Sequence, residues 1–345
     1  MSALYFSYNI LIILISACGL MANMQEGNSI IAAASPYRYI LYSAILIVLV
    51  YLIVMSQTRS LVKTRRKLKE KEHVLEEVER QKSELEIRER NITDSLNYAQ
   101  RIQEALLPSE DYFRSFFRES FIFFKPKDIV SGDFYWIGEK GGRIFIVAAD
   151  CTGHGVPGAL MSMIGIEIIE KTINEDNIDI PAAILAILNK GLEKTFSREK
   201  NIGTIIRDGM DIGLCVIDHK RKKIEYAGAF FPLYLVRNNS LIEIKGDKLI
   251  IGMNPEGKAY ENHEIDLMED DILYLFSDGY VDQFGGSENK KFMYRRFRYL
   301  LTTIHRFPVN DQKSVLEESI RTWMGSAPQL DDMMVIGFKP FSGKN

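Results

Sequence analysis

V-S-G-D-F-Y-W-I-G-E-K-G-G-R-I-F-I-V-A-A-D-C-T-G-H-G-V-P-G, residues Val130 to Gly158, reads as a β-hairpin with an acid at each open end. Asp133 opens the alternating run Phe134 to Ile137, and Asp150 closes the apolar run Ile144 to Ala149. The turn signal Gly138-Glu139-Lys140-Gly141-Gly142 between them brings the two carboxyls together. After Asp150 come three glycines in seven residues, T-G-H-G-V-P-G, which let the backbone bend tightly and offer carbonyls or amides to an ion before Pro157 starts a helix. Carboxylate oxygens beside bare backbone suit a hard cation such as Mg²⁺ or Mn²⁺. For this motif alone a plainer reading competes, with Asp133 a turn residue and Asp150 a helix cap.

Acids elsewhere favour the cation. Asp278 ends an apolar strand in L-Y-L-F-S-D-G-Y, Asp331-Asp332 precedes M-M-V-I-G-F, and Asp211 opens another strand in D-G-M-D-I-G-L-C-V-I-D. Acids placed repeatedly at strand ends can converge on one sheet edge and hold two metal ions. Strand-like runs fall at Phe121–Phe124, Phe134–Ile137, Ile144–Ala149, Ile212–Ile217, Lys223–Ala227, Leu233–Val236, Leu241–Ile244, Ile272–Phe276 and Met333–Phe338. Helices are predicted over Gly158–Ile173, Pro181–Ser197, Phe292–Ile304 and Asp311–Met324. Strands outnumber crossovers, so the sheet is expected to be largely antiparallel and the fold α+β.

Six blocks in order, V-S-G-D-F-Y-W, D-C-T-G-H-G-V-P-G-A-L, D-G-M-D-I-G-L-C-V-I-D, Y-A-G-A-F-F-P-L-Y, F-S-D-G-Y-V-D-Q-F-G-G and L-D-D-M-M-V-I-G, resemble the SpoIIE-like (RsbU-type) branch of the metal-dependent protein phosphatases, related to protein phosphatase 2C. The resemblance spans roughly Asn97 to Pro340. It implies two stacked antiparallel β-sheets flanked by helices, an αββα sandwich with metals at one end. It further implies two Mn²⁺ or Mg²⁺ ions held by Asp133, Asp150, Asp278, Asp331 and the backbone carbonyl of Cys151, and an activated water that hydrolyses phosphoserine or phosphothreonine without a protein nucleophile. The substrate it implies is a STAS-type anti-anti-sigma protein of a partner-switching pathway. A catalytically silent receptor using the fold only to bind a partner is the alternative, and retention of every ligand acid favours the enzyme.

Several residues keep two readings. Cys151 could be a catalytic thiol, but C-T-G-H-G-V-P lacks the Arg that ends an anion-cradling loop. His154 is a leaving-group acid or a turn-shaping residue, and Asp211 is an outer ligand or a structural partner. Asp332 is expected to orient its neighbour, while Asp208 and Asp282 read as loop acids. Lys125 or Lys127 could bind the incoming phosphate, or be a solvated loop lysine.

The rest of the chain organises this domain. A net charge of −3 over 345 residues gives no global reason to expect nucleic acid, and 46% hydrophobic content is ample for a core. Cys18, Cys151 and Cys215 are too scattered for a disulfide framework or a zinc site. Residues 2–25 and 39–58 are uncharged and long enough to cross a bilayer, and the Lys/Arg cluster from Arg59 to Lys71 places the chain beyond residue 58 in the cytoplasm. The expectation is a multi-pass inner-membrane hairpin over 1–58; I-S-A-C at Cys18 offers a lipoprotein signal as rival, against which stands the absence of Lys/Arg before it. Residues 59–107 form a charged helix whose apolar stripe runs through Leu61, Leu68 and Leu75, then Val78, Leu85 and Ile92, interrupted by Lys82, Glu89 and Gln103. A single helix with a solvated charged face is one reading, but nearly fifty residues without Gly or Pro favour a parallel homodimeric coiled coil leading into a phosphatase domain at 108–345.

Overall fold

The structure, a computed structural model, describes residues 35–197, 208–254 and 256–342, together with Ile12 and Ser16. It divides into two compact units, residues 1–87 and 88–345. Helix α1 (Ser35–Leu106) runs without a break through the second predicted membrane segment and the predicted linker. After Pro36 it contains no glycine or proline, and it stops just short of Pro108. This helix is long and apolar enough to cross a membrane. The first predicted segment, with its lipoprotein box, lies outside the described residues but for Ile12 and Ser16. Along the linker the stripe residues Leu61, Leu68, Leu75, Val78, Leu85 and Ile92 are all exposed.

The second unit continues with α2 (Glu110–Phe116), β1 (Ser120–Lys125), β2 (Phe134–Lys140), β3 (Arg143–Cys151), α3 (Val156–Asn174), α4 (Pro181–Ser197), β4 (Met210–Asp218), β5 (Lys223–Ala229), β6 (Leu233–Arg237) and β7 (Ser240–Ile244). It ends with β8 (His263–Asp266), β9 (Ile272–Phe276), α5 (Gly279–Asp282), β10 (Phe284–Gly285), β11 (Lys290–Lys291), α6 (Tyr294–Ile304), α7 (Val309–Met324) and β12 (Met333–Phe338). Two five-stranded sheets form, in the orders β1-β12-β9-β6-β7 and β2-β3-β4-β5-β8. Every pairing within them is antiparallel.

Period-two alternation explains the layers. In β2 and β3, Tyr135, Ile137, Ile144, Ile146 and Ala148 join Leu273, Leu275, Met334 and Ile336 of the other sheet in the central core. Their neighbours Phe134, Trp136, Phe145 and Val147 turn outward onto α3 and α4. On the opposite side Tyr274, Phe276 and Val335 pack against Phe297 and Leu301 of α6 and Leu316 of α7. Both faces of each sheet are covered, which is why the central strands read as unbroken apolar runs. All nine predicted strands and all four predicted helices of this unit form. Strand β8 escaped the sequence reading because H-E-I-D is a short, charged edge strand, and β10 and β11 have only two residues each.

Candidate metal centre

The β2–β3 hairpin closes through Gly141 and Gly142 at φ +62° and +78°, the two left-handed positions of a tight turn, with Lys140 opposite Arg143. Counting back from that turn, Phe134 pairs with Ala149, so Asp133 and Asp150 face each other just beyond the last pair. Across the next interface Asp150 pairs directly with Asp211. Three acids thus form one row across β2, β3 and β4. Each is an even number of residues from a side chain of the central core (Tyr135, Ala148, Cys215), so all three belong to the inter-sheet face.

The other sheet meets this row by the same periodicity. Ser277 lies two residues beyond Leu275, and Asp332 two before Met334, so both face the gap between sheets. Ser277 Oγ donates to Asp133 Oδ2 at 2.5 Å. Asp332 accepts from the Gly132 N–H and the Lys127 N–H, each at 2.7 Å, which uses both its oxygens to hold the entry to the hairpin. Asp278 and Asp331 occupy the adjoining positions of the two strands' ends. Their approach depends on Gly279, where a Cβ would lie 1.9 Å from the Asp332 carbonyl oxygen.

The carboxyls are crowded. Asp133, 1% exposed, and Asp150 are both pushed well above the usual carboxylate range, first by burial and then by the neighbouring acids. Desolvation raises Asp211 and Asp278 to about 6, helped by Asp278 in the first case and by Asp282 and Asp331 in the second. Asp331 is raised by burial too, against the pull of Lys127 and His154. Asp133 Oδ1 is buried and accepts no hydrogen bond. A buried carboxylate oxygen without a partner is costly, and acids that raise one another's pKa lack a cation. An all-oxygen set of this kind fits Mg²⁺ or Mn²⁺. Among the described residues no three His, Cys, Asp or Glu side chains close into a cage by themselves; hard cations of this size retain several waters and need none.

Cys151 is 2% exposed, and its thiol is driven well above its ordinary pKa by burial and by Asp150, conditions that disfavour a thiolate. Its carbonyl lies in a tight nest: a Cβ on Gly132 would come within 3.2 Å of it and 2.7 Å of the Gly153 carbonyl. His154 is tied down by Asp128, whose carboxylate accepts from Nδ1 at 2.7 Å, leaving Nε2 to accept from Lys127 Nζ at 2.8 Å. Lys127, whose backbone N–H donates to Asp332 Oδ1 at 2.7 Å, stands next to the Asp331-Asp332 pair, whereas Lys125 is exposed. Asp282 is engaged by Lys291 at 2.6 Å.

Three polar residues were not legible as part of this site. Ser277, beside Asp278 at the end of its strand, carries no charge to mark it in the sequence. Gln103, counted in the sequence as a weak stripe position, is instead 3% exposed within the catalytic unit. Its Nε2 donates to the Ser131 carbonyl (2.6 Å) and Ser162 Oγ (3.0 Å), and its Oε1 accepts the Ser131 N–H (3.0 Å). Ser131 Oγ in turn accepts the Asp133 N–H at 3.0 Å. The last turns of α1 are thereby fastened to the residue that starts the acid row.

Comparison with known proteins agrees with this geometry. The family model for stage II sporulation protein E (SpoIIE) matches residues 140–340. Among solved structures, the SiaA-PP2C domain of Pseudomonas aeruginosa is 34% identical, with a TM-score of 0.67 over 73% of this chain and 98% of that one. The RsbU and RsbW domains of Rv1364c from Mycobacterium tuberculosis superpose at 16% identity and TM-score 0.51, covering 66% of this chain and 61% of theirs. The PP2C phosphatase domain of SpoIIE from Bacillus subtilis, with a fragment of its regulatory domain, does so at 19% and 0.51, covering 64% and 62%. Among curated proteins none matches. The chain belongs to the SpoIIE family, and its globular unit has the fold of the PP2C-type serine/threonine phosphatases.

Proposed function

We propose that this protein is a membrane-anchored serine/threonine protein phosphatase that hydrolyses its substrate with a metal-activated water. What carries the reading is the convergence of Asp133, Asp150, Asp278 and Asp331 from both sheets, with Asp133 Oδ1 buried and unpartnered. Asp133, Asp150, the Cys151 carbonyl, Asp278 and Asp331 are the residues that would hold two Mn²⁺ or Mg²⁺ ions. When bound, such ions supply a low-pKa water and neutralise charge on the phosphoryl group. The chain's own contribution is positional: Ser277 fixes one oxygen of Asp133, Asp332 fixes the backbone before it, and Asp211 stands beside Asp150 as an outer partner.

The substrate we propose is a phosphorylated STAS-type regulator, on the strength of the family likeness. Anchoring is supported by the apolar first part of α1 and the basic cluster Arg59 to Lys71 immediately after it. Dimerisation through a parallel coiled coil is supported by the exposed stripe from Leu61 to Ile92. The full chain in detergent micelles, given a phosphoserine protein, is expected to release phosphate with Mn²⁺ or Mg²⁺ and to stop in excess EDTA. Undiminished turnover in EDTA would overturn the metal mechanism, and no turnover with metal bound would favour the silent receptor.

A further inference from the structure

Just past the metal centre the chain runs through K-K-F-M-Y-R-R-F-R-Y, residues 290–299, five cations and four aromatics in ten positions. The β10–β11 ribbon, with Phe284 opposite Lys291 and Gly285 opposite Lys290, folds the start of this stretch back towards α5. Lys291 reaches Asp282 there, and the Met293 N–H donates to the Val281 carbonyl at 2.7 Å. Asp282 in turn donates its N–H to the Asp278 carbonyl at 2.9 Å, one turn of α5 away from the acid row, and Tyr294 opens α6 directly after Met293. The stretch is therefore a wall of the same mouth.

Beside it opens a groove of 640 Å³ lined by Phe284, Lys290, Phe292, Met293, Arg295 and Arg296, among others. Phe292, 5% exposed, gives it an apolar floor. The rim is cationic and poorly neutralised. Arg295 is exposed and has no ion-pair partner among the described residues. Arg296 places its guanidinium carbon over Trp323, 4.1 Å from the ring centroid, a contact that orients its charge without cancelling it. Lys290 meets only Glu288, both largely in solvent, a pairing of little strength. Met293 holds φ +75° and ψ 144°, a strained conformation for a non-glycine residue that persists where its surroundings impose it. Its side chain is exposed at the groove.

This rim attracts an anionic phosphoprotein. We propose that the groove binds an acidic segment of the substrate beside its phosphorylated residue, an inference that rests on the phosphatase reading above. A peptide is the occupant the shape favours: the groove is concave, has an apolar floor for a side chain, and adjoins the place where the phosphoryl group must sit. The chain's net charge of −3 argues against nucleic acid.

The test uses the full chain in micelles with Mn²⁺ and three substrates: p-nitrophenyl phosphate, a phosphoserine peptide with Glu/Asp flanks, and the same peptide with Gln/Asn flanks. The acidic peptide is expected to show a kcat/KM about tenfold higher, carried by KM and lost at high salt. The double variant Lys290→Glu/Arg295→Glu should erase that preference and leave p-nitrophenyl phosphate turnover unchanged. Equal constants for the two peptides, or equal loss on all three substrates, would overturn the proposal. Anisotropy of the labelled acidic peptide on Asp150→Asn protein separates the two readings. Binding that the charge reversals abolish upholds the groove even if no substrate is turned over, and absence of binding refutes it even if all are. Reversals that spare the peptide but weaken association with phosphatidylserine vesicles would assign the groove to lipid instead, and so refute it too.

Discussion

Replacing Gln103 by alanine tests how the long helix is joined to the acid row. The substitution removes three hydrogen bonds and strands the N–H and C=O of Ser131 in a buried site. Each unsatisfied buried group costs about 1–3 kcal/mol, so the two backbone groups give about 2–6 kcal/mol, with the low end expected if water fills the vacated space. Trp136 and Trp323, the chain's two tryptophans, both lie in the catalytic unit, so urea unfolding monitored by their fluorescence reports this loss. Because Ser131 Oγ holds the Asp133 N–H, looser Mn²⁺ binding is expected alongside the lost stability. Gln103→Glu separates the two effects. Its carboxylate keeps the acceptor for the Ser131 N–H but faces the Ser131 carbonyl with no proton, so Mn²⁺ affinity should fall in it as well, at a smaller cost in packing. If both variants lose stability while Mn²⁺ affinity and kcat stay at wild-type values, Gln103 is a packing residue and the proposed relay to Asp133 is wrong.

Asp150→Asn should remove essentially all turnover, with the urea midpoint unchanged or raised because it relieves crowding among buried acids; retained activity would remove Asp150 from the ligand set. Cys151→Ala should keep most activity, since only a backbone carbonyl is needed from that position, and inactivity with metal still bound would revive a thiol mechanism. Asp211 and Asp278, raised to about 6, hold protons in the folded metal-free protein that the unfolded chain releases near pH 4. Their contribution to stability is thus complete below about pH 4 and disappears as pH rises through about 6, whereas Mn²⁺ requires both deprotonated. Thermal unfolding with and without Mn²⁺ at pH 5 and 7.5 should show the metal's stabilisation growing with pH; a constant increment would contradict this. Inserting seven residues after Arg80 should preserve helix phase and basal activity, whereas three or four should change it, and identical behaviour of all insertions would make α1 a mere tether.

Legible in the sequence is whatever depends on neighbours in the chain. Asp133 and Asp150 could be paired from it because a glycine-bounded turn signal over Gly138–Gly142 separates their two strands, although the structure narrows the turn to Gly141-Gly142, and Asp278 and Asp331 stood out because each borders an apolar run. Asp211 has no single assigned role in the sequence, since its place opposite Asp150 depends on how β4 returns after two helices, which periodicity cannot set. The groups that hold the acids in place were hidden for the same reason. Ser277 meets Asp133 from 144 positions away, Asp332 reaches Gly132 across 200, and Gln103 contacts Ser162 across 59. A heptad count assigns Gln103 to a helix seam, because polar residues in a stripe look alike whether they face solvent, a second helix or another part of the same chain. Its burial changes how α1 could act on the centre. A movement of α1 that reaches Gln103 must either carry Ser131 with it or leave the Ser131 backbone unpaired. Either way the first residue affected is two positions from Asp133, whose unpartnered oxygen is the one best placed to register the change as altered metal affinity.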